Sequence, residues 1–289
     1  MSKPEPIAWI ADTDPYADGG QWGHPDRLAL PLSDRGLQLA DGLFETVLLQ
    51  AGTPRLLAAH LGRWQHSAAL LGMAQPPSAA SLEPLIAEAV QRSTISHGAL
   101  RLNWSRGSGC RGLDLPAPPQ SQPIHRFWLQ LSACLPSFSA ITTIISRHER
   151  RNAHSLLSRC KSFAYGSQIQ ARREAHAAGA DEALLLSTSG ELCCGSAANL
   201  LVLRSGQWQT PPLSSGCLPG VMRQRALASG LARETNLSHD DLLQSDGALL
   251  INSLGCRPLL SCDGQVLPPI GEAGAESLWR GLLDGEPAG

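Results

Sequence analysis

The chain has 289 residues, of which 43% are hydrophobic and 17% charged, enough length and apolar content for one large packed domain or two smaller ones. That excludes wholesale disorder. The 23 Lys and Arg balance 25 Asp and Glu to a net charge of -2, so composition gives no reason to expect nucleic acid or an anionic membrane as partner. Every apolar run is broken by charge, Gly or Pro short of the roughly 18 to 20 residues of a membrane span, and the opening MSKPEPIAWIADTD has no secretory apolar stretch. A cytoplasmic protein is expected. The eight cysteines (110, 134, 160, 193, 194, 217, 256 and 262) contain no CxxC pair, so reduced thiols are expected, with neither a disulfide framework nor a metal site.

In chain order, LFETVLLQAGTPRLL reads as a hairpin turned at Ala51-Gly52-Thr53, followed by a helix with apolar spacing from Leu56 to Leu71 that stops at Gly72. Ser81–Arg92 is a second helix. Ala99–Trp104 and Arg126–Leu131 alternate as strands do, and the proline-rich stretch Pro116–Pro123 between them is an exposed loop. These elements predict an α+β domain over residues 1–135. The β-branched run Ala140–Ser146 opens a second, α+β domain over 136–289, with a polar loop leading to Lys161 and a helix from Ser162 to Ala178 capped by Gly179. EALLLSTSGELCC and NLLVLRSGQWQT are strand pairs turned by Ser-Gly, LPGVMRQRALASGLARE is a turn entering a helix, and ALLINS and PLLSCDGQV are the last marked strands. The pattern predicts two domains of similar size with a cleft between them, and the seven tryptophans read as core or interface residues.

Chemistry is concentrated in few residues. Lys3 and Lys161 are the only lysines, so Lys161 is the one amine in the body of the chain, and a lysine desolvated in a cleft becomes a nucleophile able to form a Schiff base. Leu218-Pro219-Gly220-Val221-Met222-Arg223 sets a glycine at a helix mouth, where unpaired backbone N–H groups suit a phosphate. Arg63, in HLGR, could clamp the same phosphate.

Taken together, SDRGLQLADGLFET (33–46), HLGR (60–63), SRGSGCRG (105–112), the Lys161 segment, EAHAAGADEALLL (174–186), GSAANLLV (195–202), LPGVMRQ (218–224) and NSLGCRP (252–258) resemble the class IV pyridoxal-phosphate (PLP) enzymes. This family includes branched-chain and D-amino-acid aminotransferases and 4-amino-4-deoxychorismate lyases. The resemblance implies a two-domain fold-type IV enzyme with its cofactor in the interdomain cleft, and a homodimer acting on a small molecule. It implies that Lys161 carries the cofactor, that Arg63, the Val221 and Met222 backbone, Asn252 and Ser253 hold its phosphate, that Tyr165 meets its phenolate, and that Arg111 receives a substrate carboxylate. SRGSGCRG, GVMR and NSLG resemble the lyase forms, which make 4-aminobenzoate and pyruvate in folate synthesis. The alternatives are an amino-acid aminotransferase and a cofactor-binding protein without turnover. One position departs from the family, since Cys194 stands where a Glu bonds the pyridine nitrogen. Glu191 could replace it only if a bulge intervenes, because residues three apart on a strand face opposite sides.

Overall fold

The computed structural model describes residues 4–12, 19–109, 112–115 and 125–285, which form two compact units. The first comprises residues 1–135 together with the short segment Cys160–Ala164. It contains β1 (Ile7–Ala11), β2 (Gly20–Gly23), α1 (Arg35–Leu39), β3 (Gly42–Gln50), β4 (Thr53–Pro54), α2 (Leu57–Leu70), α3 (Ala79–Ser93), β5 (Gly98–Ser105) and β6 (Arg126–Ala133). The strands form one antiparallel sheet in the order β2-β1-β6-β5-β3-β4. β3 turns into β4 at Ala51-Gly52, as expected, with both turn residues at positive φ. The core joins Leu43, Val47, Leu49, Leu100, Leu102, Leu129 and Leu131 of the sheet to Leu61, Trp64 and Ala68 of α2 and to Leu82 and Ile86 of α3. The proline-rich stretch Pro116–Pro123 lies outside the described residues.

The second unit comprises residues 136–159 and 165–289. Its elements are β7 (Ile141–Arg151), α4 (Gly166–Ala177), β8 (Glu182–Ser187), β9 (Leu192–Gly195), β10 (Asn199–Arg204), β11 (Gln207–Thr210), α5 (Val221–Ala228), β12 (Ala232–Glu234), α6 (His239–Leu243), β13 (Gly247–Asn252), β14 (Gly255–Cys262), β15 (Gln265–Val266) and α7 (Glu272–Asp284). The mixed sheet runs β12-β11-β10-β13-β14-β7-β8-β9, and β9 pairs back onto β10 through Asn199 and Cys194. Six strands therefore close on themselves, and the ends of β9, β10 and β13 meet.

Three expectations are corrected. The strand that begins near Ala140 runs through the polar residues to Arg151, because β8 pairs with both its ends around a register shift. Residues following Ser229 leave the helix, and Ala232–Glu234 pairs in parallel with β11. The helix expected from Ser162 starts only at Gly166, and Lys161 belongs to the first unit, not to the second domain where it was expected. Local propensity favours the helix, but residues 161–163 spend their backbone groups on β3 instead. The Phe44 N–H donates to the Lys161 carbonyl and the Phe163 N–H to the Gly42 carbonyl, each at 2.9 Å. Gly42 permits this, since a Cβ there would lie 2.2 Å from the Phe163 ring.

Candidate active site

In the first unit, that docking fixes the backbone of Lys161 beside Phe44. The Lys161 Nζ lies 4.3 Å from the centroid of the Phe44 ring, and the Arg101 guanidinium carbon lies 3.7 Å from the same centroid. Two cations thus share one buried aromatic ring. Arg101 projects from β5, where its Nε donates to Asn103 Oδ1 at 2.7 Å.

The next residue along β3, Glu45, points to the opposite side of the strand and meets α2. His60 and Arg63, three apart on that helix, share its buried face with Trp64 and Ser67. Arg63 grips Glu45 with a two-pronged guanidinium, Nε to Oε1 at 2.8 Å and Nη2 to Oε2 at 2.5 Å. His60 Nδ1 lies 2.7 Å from Oε2. Burial alone would raise the Glu45 carboxyl, but the Arg63 charge and the hydrogen bonds from His60 and Arg63 hold it at about 2. Burial pushes His60 down, as do the charges of Arg63 and Lys161, against the pull of Glu45. A neutral His60 facing an ionised carboxylate must carry its proton on Nδ1. Glu45 therefore orients the guanidinium of the arginine that the sequence marks for a phosphate.

In the second unit, the meeting of β9, β10 and β13 brings Cys194 and Asn252 to one junction. Asn199 pairs with Cys194 on one side and Ile251 on the other, and Asn252 follows Ile251. The Asn252 side chain reaches back to donate to the Ala197 carbonyl at 3.2 Å and accepts from the Leu254 N–H at 2.8 Å, with Ser253 in the same turn. Asn199 Nδ2 donates to the Leu218 carbonyl at 2.9 Å, which fixes the Leu218-Pro219-Gly220 turn ahead of α5. A Cβ on Gly220 would lie 1.9 Å from Asn199 Oδ1, so only glycine fits. Gly220 is the N-cap of α5 and, lacking a side chain, offers none to the first-turn N–H groups that start with Val221 and Met222. Tyr165 occupies the N-cap of α4.

Cys194 lies at a bulge. Leu185 pairs with Cys194 while the next residue, Leu186, pairs with Leu192, which leaves Cys193 as the extra residue. Cys193 and Cys194 consequently face the same buried cluster as Cys217, whereas Leu192 packs in the opposite one. The hydrogen bonds Cys193 shares with Cys194 and Cys217, together with burial, push its thiol far up. Arg111 lies outside the described residues.

Among these residues Phe44, Glu45, His60 and Arg101 were not expected from the sequence. The signal for Glu45 is the lone acid inside the apolar run LFETVLL, which must find a buried cation; Arg101 carries no comparable mark.

The model of the family "Amino-transferase class IV" matches residues 42–262. The chain belongs to that family. It is 26% identical to a protein of Methanocaldococcus jannaschii named as a putative branched-chain-amino-acid aminotransferase, over 81% of this chain and 83% of that one. A Mycobacterium tuberculosis protein named as a bifunctional aminodeoxychorismate lyase and D-amino acid transaminase is 27% identical over 89% and 94% of the two chains. The crystal structure of 4-amino-4-deoxychorismate lyase from Pseudomonas aeruginosa superposes with a TM-score of 0.74 at 29% identity, covering 96% and 99%. The fold is thus the two-domain fold type IV, in a family of PLP-dependent enzymes. The residues present suit that cofactor: an amine held beside an aromatic ring, an arginine oriented by a buried carboxylate, and a helix whose N-cap is a glycine where a Cβ would not fit. Among the described residues, no helix is long and apolar enough to cross a membrane.

Proposed function

We propose that the chain is a PLP-dependent 4-amino-4-deoxychorismate lyase, which releases 4-aminobenzoate and pyruvate. PLP supplies an aldehyde for Lys161 and a ring that withdraws electrons from the bound substrate amine. The Arg63 guanidinium, set by Glu45, and the Val221 and Met222 N–H groups hold its phosphate, with Asn252 and Ser253 beside that turn and Tyr165 near its phenolate. Lys161 Nζ takes the proton from the substrate ring and returns one to the departing enolpyruvyl group, so the ring becomes aromatic as pyruvate leaves. Arg101, which shares Phe44 with Lys161, receives one of the two substrate carboxylates, and Arg111 the other. By the same resemblance the working form is a homodimer, which light scattering of the purified chain checks.

The observation that carries the lyase reading is Cys194, buried among thiols at the position of the family's pyridine-nitrogen acid. A thiol is a weak donor. A less protonated ring nitrogen penalises transamination, which depends on carbanion stabilisation by the ring, more than an elimination driven by aromatisation. The second reading, an amino-acid aminotransferase, is favoured by the bulge at Cys193, which is the condition under which Glu191 could stand in for the missing acid. Incubation with a panel of D- and L-amino acids and a keto-acid acceptor separates the two: turnover there, with none on 4-amino-4-deoxychorismate, supports the aminotransferase.

A further inference from the structure

We propose that His239, Cys262 and Asp263 form a divalent-cation site of the class that takes Zn²⁺, at the wall of a 570 Å³ cavity in the second unit. His239 is the first residue of α6, Cys262 the last of β14, and Asp263 the first residue of the turn into β15. His239 Nε2 lies 3.9 Å from Cys262 Sγ and 4.0 Å from Asp263 Oδ2, and the three donor atoms all lie within 4.8 Å of one another. Around tetrahedral Zn²⁺, with Zn–S near 2.3 Å and Zn–N and Zn–O near 2.0 Å, such donors stand roughly 3.3 to 3.6 Å apart. Closing the site therefore asks the two His239 separations to shorten by about 0.4 to 0.7 Å and the Cys262–Asp263 separation by no more than about 1.3 Å. An imidazole, a thiolate and a carboxylate are the three ligand types that Zn²⁺ accepts.

The carboxylate is already aimed. Asp263 stands at φ 48° with Gly264 at φ 78°, a two-residue turn between paired Cys262 and Gln265. Its N–H donates to the Thr143 carbonyl at 3.0 Å and its Oδ1 accepts from the Ile145 N–H at 3.2 Å, which directs Oδ2 at His239. The capping box of Ser238 and Asp241 fixes the helix start that carries His239. Cys262 is buried, and burial lifts its thiol to about 12, so a bound cation must displace its proton. His239 and Asp263 line the cavity, which provides the entry path and the fourth ligand position. Arg147 and Arg150 line it too, and they favour an anion at that fourth position. The three donors are far apart in sequence or adjacent without a motif, which is why the cysteine spacing predicts no metal.

The test is a Zn²⁺ titration of the full chain, stripped with a chelator, against a chromophoric competitor, with Co²⁺ in parallel. We expect one tight Zn²⁺ per chain and a thiolate-to-cobalt charge-transfer band. His239→Ala and Asp263→Asn should each weaken Zn²⁺ at least about 100-fold, beyond the range typical of residues behind the ligands. Asn tolerates the left-handed turn, so the second variant keeps the fold. Cys262→Ser should abolish the cobalt band. Absence of stoichiometric uptake, a cobalt complex without the thiolate band, or Zn²⁺ affinity unchanged from wild type in both His239→Ala and Asp263→Asn would each overturn the site; the last would move the metal to the Cys193, Cys194 and Cys217 thiols.

Discussion

Replacing Glu45 by Gln removes one charge from a fully buried network and leaves the Arg63 guanidinium facing a neutral amide. The drop of the Glu45 carboxyl from 4.5 to about 2 corresponds to about 3 kcal/mol of stabilisation at neutral pH. Breaking a buried ion pair by removing one partner costs about 3 to 5 kcal/mol, which agrees. The folded carboxyl is depressed, so this contribution is complete above pH 4.5 and is lost as pH falls towards 2. Five of the seven tryptophans, Trp9, Trp22, Trp64, Trp104 and Trp128, lie in the first unit, so intrinsic fluorescence reports its unfolding in urea. The variant should unfold at lower urea at pH 7 by an amount equivalent to about 3 kcal/mol, and its stability should fall less steeply than that of wild type between pH 5 and pH 2.5. A loss below about 1 kcal/mol with an unchanged pH profile would show that Glu45 is not held ionised by Arg63 and His60.

Gly220→Ala should displace the start of α5, because the new Cβ would meet Asn199 Oδ1, so PLP affinity should fall at least tenfold by equilibrium dialysis and the chain should lose about 1 to 3 kcal/mol of stability. Cys194→Glu should raise side transaminase activity on amino acids; an unchanged rate would remove Cys194 from the argument. Arg101→Gln should raise the KM for a dicarboxylate substrate by about tenfold to a hundredfold, as expected for losing one charge-assisted carboxylate contact of roughly 1.5 to 3 kcal/mol. An unchanged KM would remove Arg101 from the substrate site.

What the sequence made legible follows its local physics. The β3–β4 hairpin is written in its turn residues, the α2 and α3 helices in apolar spacing, and β8 to β11 in runs separated by Ser-Gly. The helix start at Gly220 was readable because glycine and an adjacent apolar turn are local marks. The docking of residues 161–163 on β3 was not, since it rests on backbone bonds between positions more than a hundred apart. Nor was the bulge, because Cys193 and Cys194 carry no turn signal and only the pairing with β8 shows which is extra. β1 and β2, and the closing helix α7 with its fully buried Trp279, add to the expected elements. Arg63 was legible as a cation on a helix, whereas its partner Glu45 required knowing which face of β3 meets α2.

Supplying the PLP-loaded protein with 4-amino-4-deoxychorismate and assaying 4-aminobenzoate and pyruvate, with Lys161→Ala beside it, tests the lyase reaction and the role of Lys161 together. Both products should form in equal amounts, with none from the variant. No product from wild-type protein that holds PLP on Lys161 would contradict the lyase, and product from Lys161→Ala at the wild-type rate would contradict the role of the lysine.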